Sequence, residues 1–340
     1  MNIIKRTILA GVGLAASLTA MPAFAETQLV LSSWLPPRHQ LVVGAIKPWA
    51  KQVEEVTEGR VTIRVLAKPL GAPPAHYDMA RDGVADITYG LHSFVNDGRF
   101  LRSRVGQFSF LGNDAVSVSK NFWTVYTEEL DAATEHEGTH ILGLFTHGPG
   151  ALLSKDRHFE AAGDFSGFKV RTPGGYPADL LKGMGATTLF MSSGEVYEKL
   201  TRGVIDGVCM PLDSLLAFKL EKHLTDVMTV SGGLYNTSWF LVMNQAKWDG
   251  ISPEDQKAIM SVSGLAFSEL AGKAWDEKDT EGFEAASEAG INVYPANDAV
   301  LDHLLSVATP LEEAWVKAVK EQGFDAADAL AKMQTAKPSK

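Results

Sequence analysis

The regular alternation of strand-like and helix-like segments is the feature that most constrains the fold of this chain. Near the amino terminus, apolar runs typical of strands are separated by segments with helical spacing of apolar residues. The predicted order is strand 26–33, helix 44–56, strand 61–65, helix 77–82 and strand 86–89. Because a helix supplies the long crossover between parallel strands, this order predicts an α/β domain with a largely parallel sheet.

The alternation restarts further along, which indicates a second lobe. The later predicted elements are strands at 140–145, 168–171, 187–190, 204–210 and 239–243 and helices at 177–184 and 195–201. Both halves contain an Arg near a helix end followed by Gly-Val-x-Asp and a strand. Gly83 and Gly203 stand where the end of a helix requires a positive φ. The same junction of helix, glycine and strand in both halves favours two similar lobes.

Helices dominate the last part of the chain. Ser252 and Pro253, followed by acidic residues, form a helix start, and the helical region continues to about residue 289. Further helices are predicted from about Asp298 to Glu321, before a polar, Lys-rich tail.

The amino terminus has the pattern of a cleavable secretory signal. Lys5 and Arg6 precede a short apolar stretch, and an A-x-A pattern ends at Ala25. The apolar stretch is too short to span a membrane comfortably. We therefore expect export to the periplasm, cleavage after Ala25 and a mature chain that begins at Glu26.

Composition excludes several classes of partner and chemistry. The formal net charge of −10 disfavours nucleic acid and anionic membrane surfaces as partners. The one cysteine, Cys209, cannot form an internal disulfide, and we expect a buried, unreactive thiol. No Ser-His-Asp order, nucleophile elbow or phosphate-binding loop is present, and no cofactor is predicted.

One motif points instead to a zinc hydrolase. His136, Glu137 and His140 match H-E-x-x-H, which binds zinc when a helix places both histidines on one face. Here Gly138 interrupts the motif and a predicted strand follows it. We expect the helix to end near Glu135 and the two rings to point apart, so no metal site is predicted.

Several motifs resemble one family of transport proteins. The best segment reads Gly167-Phe168-Lys169-Val170-Arg171-Thr172-Pro173, then Gly185-Ala186-Thr187, Glu195-Val196-Tyr197, Leu200, Gly203 and Asp206-Gly207. A second comprises Asn244, Trp248, Ser252, Gln256 and Ile259. In this order they resemble the solute-binding proteins of tripartite ATP-independent periplasmic (TRAP) transporters, over nearly the whole mature chain.

The resemblance implies an α/β, two-lobed periplasmic binding protein fold, with mixed sheets flanked by helices and a long connecting helix. After a signal peptide at 1–25, the expected division is 26–148 plus 237–276 for lobe I and 149–236 plus 277–330 for lobe II. A tail at 331–340 would follow.

The resemblance also implies a site. In the family, the arginine of G-x-K-x-R-x-P grips the ligand carboxylate, and that residue here is Arg171. A guanidinium presents two parallel donors to a carboxylate, and a strand end is where open α/β sheets place ligands. Met210 stands where the family often has asparagine, which predicts a more apolar pocket. The other candidate lining residues are Trp34, Tyr89, His92 and Trp239.

We therefore expect a binding protein, not an enzyme. It would hold a small organic acid, a monocarboxylate with an apolar or aromatic part, and deliver it to TRAP membrane subunits driven by an ion gradient. A solute-binding protein of an ATP-driven importer is the first alternative. A zinc hydrolase using His136, Glu137 and His140 is the more remote one.

Overall fold

The computed structural model describes residues 27–338, so the predicted signal peptide and its cleavage site lie outside the described residues. The strands are β1 (Thr27–Ser32), β2 (Val61–Val65), β3 (Ile87–Leu91), β4 (Thr139–Thr146), β5 (Ala151–Ser154), β6 (Lys169–Thr172), β7 (Thr187–Phe190), β8 (Gly207–Met210), β9 (Asp226–Thr229), β10 (Ser238–Asn244) and β11 (Asn292–Pro295). The α-helices are α1 (Lys47–Val56), α2 (His76–Arg81), α3 (Ala115–Thr124), α4 (Ala132–Glu135), α5 (Gly175–Gly183), α6 (Val196–Thr201), α7 (Ser214–Phe218), α8 (Gln245–Asp249), α9 (Pro253–Ser261), α10 (Leu265–Glu288), α11 (Asp298–Glu321) and α12 (Ala326–Met333).

The first sheet has the strand order β2-β1-β3-β10-β4. β1 runs parallel to β2 and β3, whereas β10 is antiparallel to both β3 and β4. The sheet is therefore mixed: four of its five strands run in the same direction, in line with the largely parallel sheet predicted, and β10 runs opposite to them. The antiparallel strand, β10, comes from late in the chain, and local sequence patterns do not predict pairing between such distant segments.

The second sheet has the order β11-β9-β5-β8-β6-β7 and is also mixed. β6 pairs in parallel with β7 and β8, while β5 is antiparallel to β8 and β9. The expected architecture of mixed sheets flanked by helices is confirmed. In each sheet the inserted antiparallel strand follows directly from the other sheet: β5 comes after β4, and β10 after β9.

A long helix joins the two lobes. α10 packs on α3 and β4 beside the first sheet, and on α7 and β11 beside the second. The sequence predicted one helical region from Pro253 onward, but the helix is interrupted between α9 and α10. Gly264 has φ +60°, and its N–H donates to the carbonyl of Leu142 at 2.7 Å, which stops α9 from continuing.

The two repeated helix ends have the predicted backbone geometry. Gly83 has φ +74° and Gly203 has φ +67°, so the positive φ expected at both positions is confirmed. Each glycine ends a short helix, α2 or α6, just before the chain enters a strand of its sheet.

The predicted tail at 331–340 is wrong for its first half. α12 runs to Met333, whose side chain is fully buried. Beyond it, Gln334 Nε2 donates to the carbonyl of Ser109 at 3.0 Å and Thr335 Oγ1 donates to that of Leu111 at 2.8 Å. Met333 follows Leu330 by three residues on the buried face of the helix, so the apolar spacing continues into the expected tail.

Within residues 27–338, no helix combines the length and apolar content that crossing a bilayer requires.

Candidate functional site

A cavity lies between the two sheets and is lined by residues of both lobes. The first lobe and the links between lobes contribute Trp34, Leu35, His39, Leu91, Phe94, His147, Tyr235, Thr237, Trp239 and Trp275. The second lobe contributes Arg171, Pro173, Ser193, Cys209, Met210, Pro211, Ser214 and Phe218. The mainly apolar lining suits a small organic ligand that contacts both lobes.

Arg171 is the cation of this lining. It lies in β6 and is only 4% exposed. Its Nε donates to the carbonyl of Met191 at 3.0 Å and its Nη1 to that of Cys209 at 3.4 Å. Burial lowers the pKa of the guanidinium, which nevertheless remains charged at physiological pH. Among the described residues, no carboxylate lies within ion-pair distance, so a buried positive charge faces the cavity without an anion.

An aromatic wall faces the cavity. The rings of Trp34 and Trp239 are stacked, and Phe94 lies 5.7 Å from Trp34 between centroids. The indole N–H groups are already used: Trp34 Nε1 donates to the carbonyl of Tyr89 at 3.0 Å, and Trp239 Nε1 to Thr237 Oγ1 at 2.8 Å. The cavity therefore meets the apolar surfaces of these rings, not their donors.

Tyr89 lies behind this wall and does not line the cavity. Its hydroxyl bonds with Ser33 Oγ at 2.7 Å and accepts from the Leu35 N–H at 3.2 Å. Burial raises the pKa of the Tyr89 phenol to about 12. The residue fixes the loop that carries Trp34, so its effect on the cavity is indirect.

The prediction that His92 lines the cavity is wrong. Its Nε2 lies 3.1 Å from Nε2 of His136, in a buried cluster with Phe100 and Phe240. Burial, together with the charge of His136, holds the pKa of His92 well below its ordinary value. β3 ends at Leu91, which lines the cavity, and His92 begins a short 3₁₀ helix, His92–Phe94, whose Phe94 also lines it.

The H-E-x-x-H segment does not form a metal site. α4 ends at Glu135 and Gly138 has φ +84°, as the sequence predicted for the helix end and the turn. His136 is fully buried in the aromatic cluster, whereas His140 stacks on Trp248 with 3.7 Å between ring centroids. Over residues 27–338, no group of three or more His, Cys, Asp or Glu side chains is placed to hold a metal ion.

Two buried carboxyl groups lie where α7 meets α10, outside the set of residues that line the cavity. Asp213, at the start of α7, is 1% exposed, and Asp279 is on α10. The Asp213 N–H donates to Asp279 Oδ1 at 3.1 Å, and Gln40 Nε2 of the first lobe donates to Asp213 Oδ2. Burial, then the neighbouring carboxylate, raises the pKa of Asp213 well above its ordinary value, and burial raises that of Asp279 to about 7. One proton shared by the pair relieves the repulsion.

Sequence reasoning missed four prominent lining residues: His39, His147, Tyr235 and Trp275. They lie in loops or on a helix without a recognised motif, and only the approach of the lobes brings them together. Cys209 matches its expectation, because burial raises the pKa of its thiol to about 12 and keeps it protonated.

Two mixed α/β lobes around a cavity with one buried cation define a bilobal solute-binding protein. The sequence model of bacterial extracellular solute-binding protein, family 7 (DctP), matches residues 31–318, and the chain belongs to this family.

Solved structures of TRAP solute-binding proteins resemble this chain closely. One, from Bordetella bronchiseptica with bound (R)- and (S)-mandelate, is 35% identical, has a TM-score of 0.87, and covers 91% of this chain and 98% of its own. Another, from a marine metagenome and specific for aromatic acid ligands, holds 3-hydroxybenzoate. It is 30% identical with a TM-score of 0.83, covering 91% of this chain and 97% of its own.

A sequence relative is the Comamonas testosteroni protein described as outer membrane transporter protein TsaT. It is 31% identical over 93% of this chain and 94% of its own length. The proteins that this chain resembles are thus ligand-binding proteins and transport components.

Proposed function

We propose that the protein is a periplasmic receptor for an aromatic monocarboxylate, which it encloses between its lobes and delivers to TRAP membrane subunits. The observation that carries the proposal is the buried guanidinium of Arg171, which has no carboxylate partner among the described residues and faces a cavity walled by Trp34 and Trp239. A ligand carboxylate would neutralise this charge through charge-assisted hydrogen bonds.

The charge of the cavity favours one carboxylate over two. Its lining contains two histidines besides Arg171, and both are neutral at physiological pH. Burial lowers the pKa of His39 to about 3; burial, with the charge of Arg171 adding to it, lowers that of His147 to about 4. A second carboxylate would enter an apolar space with no cation to pair with, which carries a large desolvation cost.

Aromatic surface supplies the rest of the recognition. Met210, the departure from the family pattern, is 4% exposed and adds an apolar, polarisable wall beside Arg171. The acids held by the two related structures, mandelate and 3-hydroxybenzoate, are aromatic monocarboxylates and support this ligand class. The family favours ion-gradient-driven membrane subunits over an ATP-driven importer and binding over catalysis.

Location follows from the family and from the amino-terminal pattern. We expect the chain to be exported and cut between Ala25 and Glu26. Mass spectrometry of protein exported by a Gram-negative host should find Glu26 as the first residue. Mature protein that still begins at Met1 would contradict export.

Calorimetric titration of the mature protein tests the ligand class. Benzoate should bind, whereas benzamide, which has a similar shape but no charge, should bind at least about 30-fold more weakly. Succinate, a dicarboxylate without an aromatic ring, serves as the control and should give no measurable heat. Binding of succinate in preference to benzoate, or equal binding of benzamide, would overturn the proposal.

A further inference from the structure

The position of the proton on His147 follows from its neighbour. Its Nδ1 contacts the carbonyl oxygen of Gly148, which only accepts hydrogen bonds, so the proton of the neutral ring lies on Nδ1. Nε2 therefore carries a lone pair. It has no hydrogen-bond partner among the described residues, and the ring, 3% exposed, lines the cavity.

His39 has the opposite tautomer. The backbone N–H of Leu41 donates to its Nδ1 at 3.2 Å, so the proton of this neutral ring lies on Nε2. That N–H also lacks a partner among the residues described. The ring is 4% exposed and lines the same cavity.

Trp275 of α10 lines the same cavity and contacts both histidines. The ring of His39 meets it edge-on at 5.4 Å between centroids, and the ring of His147 lies 6.0 Å from it. The lining thus offers the Nε2–H of His39 as a donor and Nε2 of His147 as an acceptor, and the buried Nε1–H of Trp275 is a further donor without a partner among the described residues. An unsubstituted aromatic ring would bury these groups without a partner, which opposes binding.

We propose that His39 and His147 form a hydroxyl subsite, so that the preferred ligand is a hydroxy-substituted aromatic acid. Its hydroxyl group donates to Nε2 of His147 and accepts from the Nε2–H of His39. A hydroxyl both donates and accepts, whereas an ether or a halogen cannot donate. The inference rests on the proposed function, because the carboxylate held by Arg171 orients the ring towards Trp275.

The test compares acids that differ by one hydroxyl group. Calorimetric titration with 3-hydroxybenzoate against benzoate, and with mandelate against phenylacetate, gives a ratio of dissociation constants for each pair. In the unchanged protein at least one hydroxy acid should bind about tenfold more tightly than its parent. In His147→Phe that ratio should fall to about one, and in His39→Phe it should fall part of the way.

His140→Phe is the matched control, since His140 stacks on Trp248 outside the cavity and its loss should leave the ratio unchanged. Nitrogen NMR of the unchanged protein avoids any folding defect of the variants: the His147 Nε2 resonance should shift with the hydroxy acid and not with its parent.

The outcomes separate the two proposals. Binding of benzoate with ratios near one in the unchanged protein, or ratios that survive both cavity variants, would overturn the hydroxyl subsite alone. Failure of every aromatic acid to bind would instead overturn the proposed function, and the subsite with it.

Discussion

The indole rings of Trp34 and Trp239 lie parallel, with 1° between their planes and 5.8 Å between their centroids. Phe145 extends the stack on the far side of Trp239, at 5.8 Å and 19°. All three belong to the first lobe, in the loop after β1 and in strands β10 and β4. The wall is therefore built by one lobe, and its rings are already packed together. A ligand then gains contact area without the entropy cost of ordering these side chains.

Loss of Trp34 should weaken binding of aromatic acids. Trp34→Leu removes one ring of the stack, and an aromatic pair contributes about 0.5–1.5 kcal/mol beyond its buried area. The dissociation constant of benzoate, measured by calorimetry, should rise by about tenfold. Trp248→Leu removes an indole that stacks on His140 outside the cavity and is the control. Equal affinities in both variants would remove Trp34 from the site.

Loss of Arg171 should nearly abolish binding. Removing one member of a buried ion pair costs about 2–5 kcal/mol, so affinity for benzoate should fall by roughly 30-fold to several thousand-fold in Arg171→Ala. Arg171→Lys should also bind poorly, because an ammonium group lacks the planar pair of donors.

The free Arg171→Ala protein should stay folded by circular dichroism. It loses two hydrogen bonds to carbonyls but also a buried charge without a counterion. Arg157→Ala is the control, since Arg157 Nη1 likewise donates to backbone carbonyls, those of Asp164 and Ser166, outside the cavity. Near-native affinity in folded Arg171→Ala would contradict the role of this residue.

The carboxyl pair should make stability depend on pH. The ordinary Asp pKa is 3.8, and both folded values are higher, so the folded state binds more protons than the unfolded state between about pH 4 and 7. The pair's contribution is complete below pH 3.8 and is lost as the pH rises through about 7. Asp279→Asn mimics the protonated group, so its melting temperature should exceed that of the unchanged protein by a few degrees at pH 8 and match it near pH 5.

The buried histidines His39 and His147 change the stability of the fold in the opposite direction. Their lowered pKa values make stability fall as the pH drops below about 6.5. For this reason the difference between variant and unchanged protein, not either curve alone, isolates the carboxyl pair. Asp302→Asn, on the exposed face of α11, is the control. A constant difference across the pH range would show that the pair does not share a proton.

His140 should be dispensable for ligand binding and for metal content. His140→Ala removes a ring that stacks on Trp248 away from the cavity, so its affinity for benzoate should equal that of the unchanged protein. Mass spectrometric metal analysis of both proteins should find well below one equivalent of zinc. One tightly held equivalent, lost in the variant, would restore the zinc hydrolase interpretation.

Elements with strong local signals were predictable from the sequence. α11 spans the region from Asp298 to Glu321 that was predicted to be helical, and β2 and β7 have the predicted ends. Arg171 could be located because it ends a strand within a recognisable motif. Trp239 was predicted from its position alone, near the start of a strand, and it lines the cavity.

Features that depend on distant parts of the chain were not predictable. The sequence analysis did not predict β5, β9 and β11, whose pairing with one another joins segments far apart along the chain. The expectation for His92 failed because β3 ends at Leu91 and a short 3₁₀ helix begins at His92, whose ring packs against His136 in the core while Phe94 lines the cavity. His39 and His147 meet through Trp275, more than a hundred residues from either, and their tautomers depend on backbone groups that only the folded chain positions.

The insertion of β10 between β3 and β4 sets the order in which the chain acquires its structure. A chain that emerges from its amino end has made β1 to β4 long before residue 238 appears, yet β3 and β4 have no common partner until then. Their open edges are templates for pairing with other chains. The first sheet therefore begins first but stays incomplete until most of the second sheet's strands have appeared, and long-range closure of this kind slows folding.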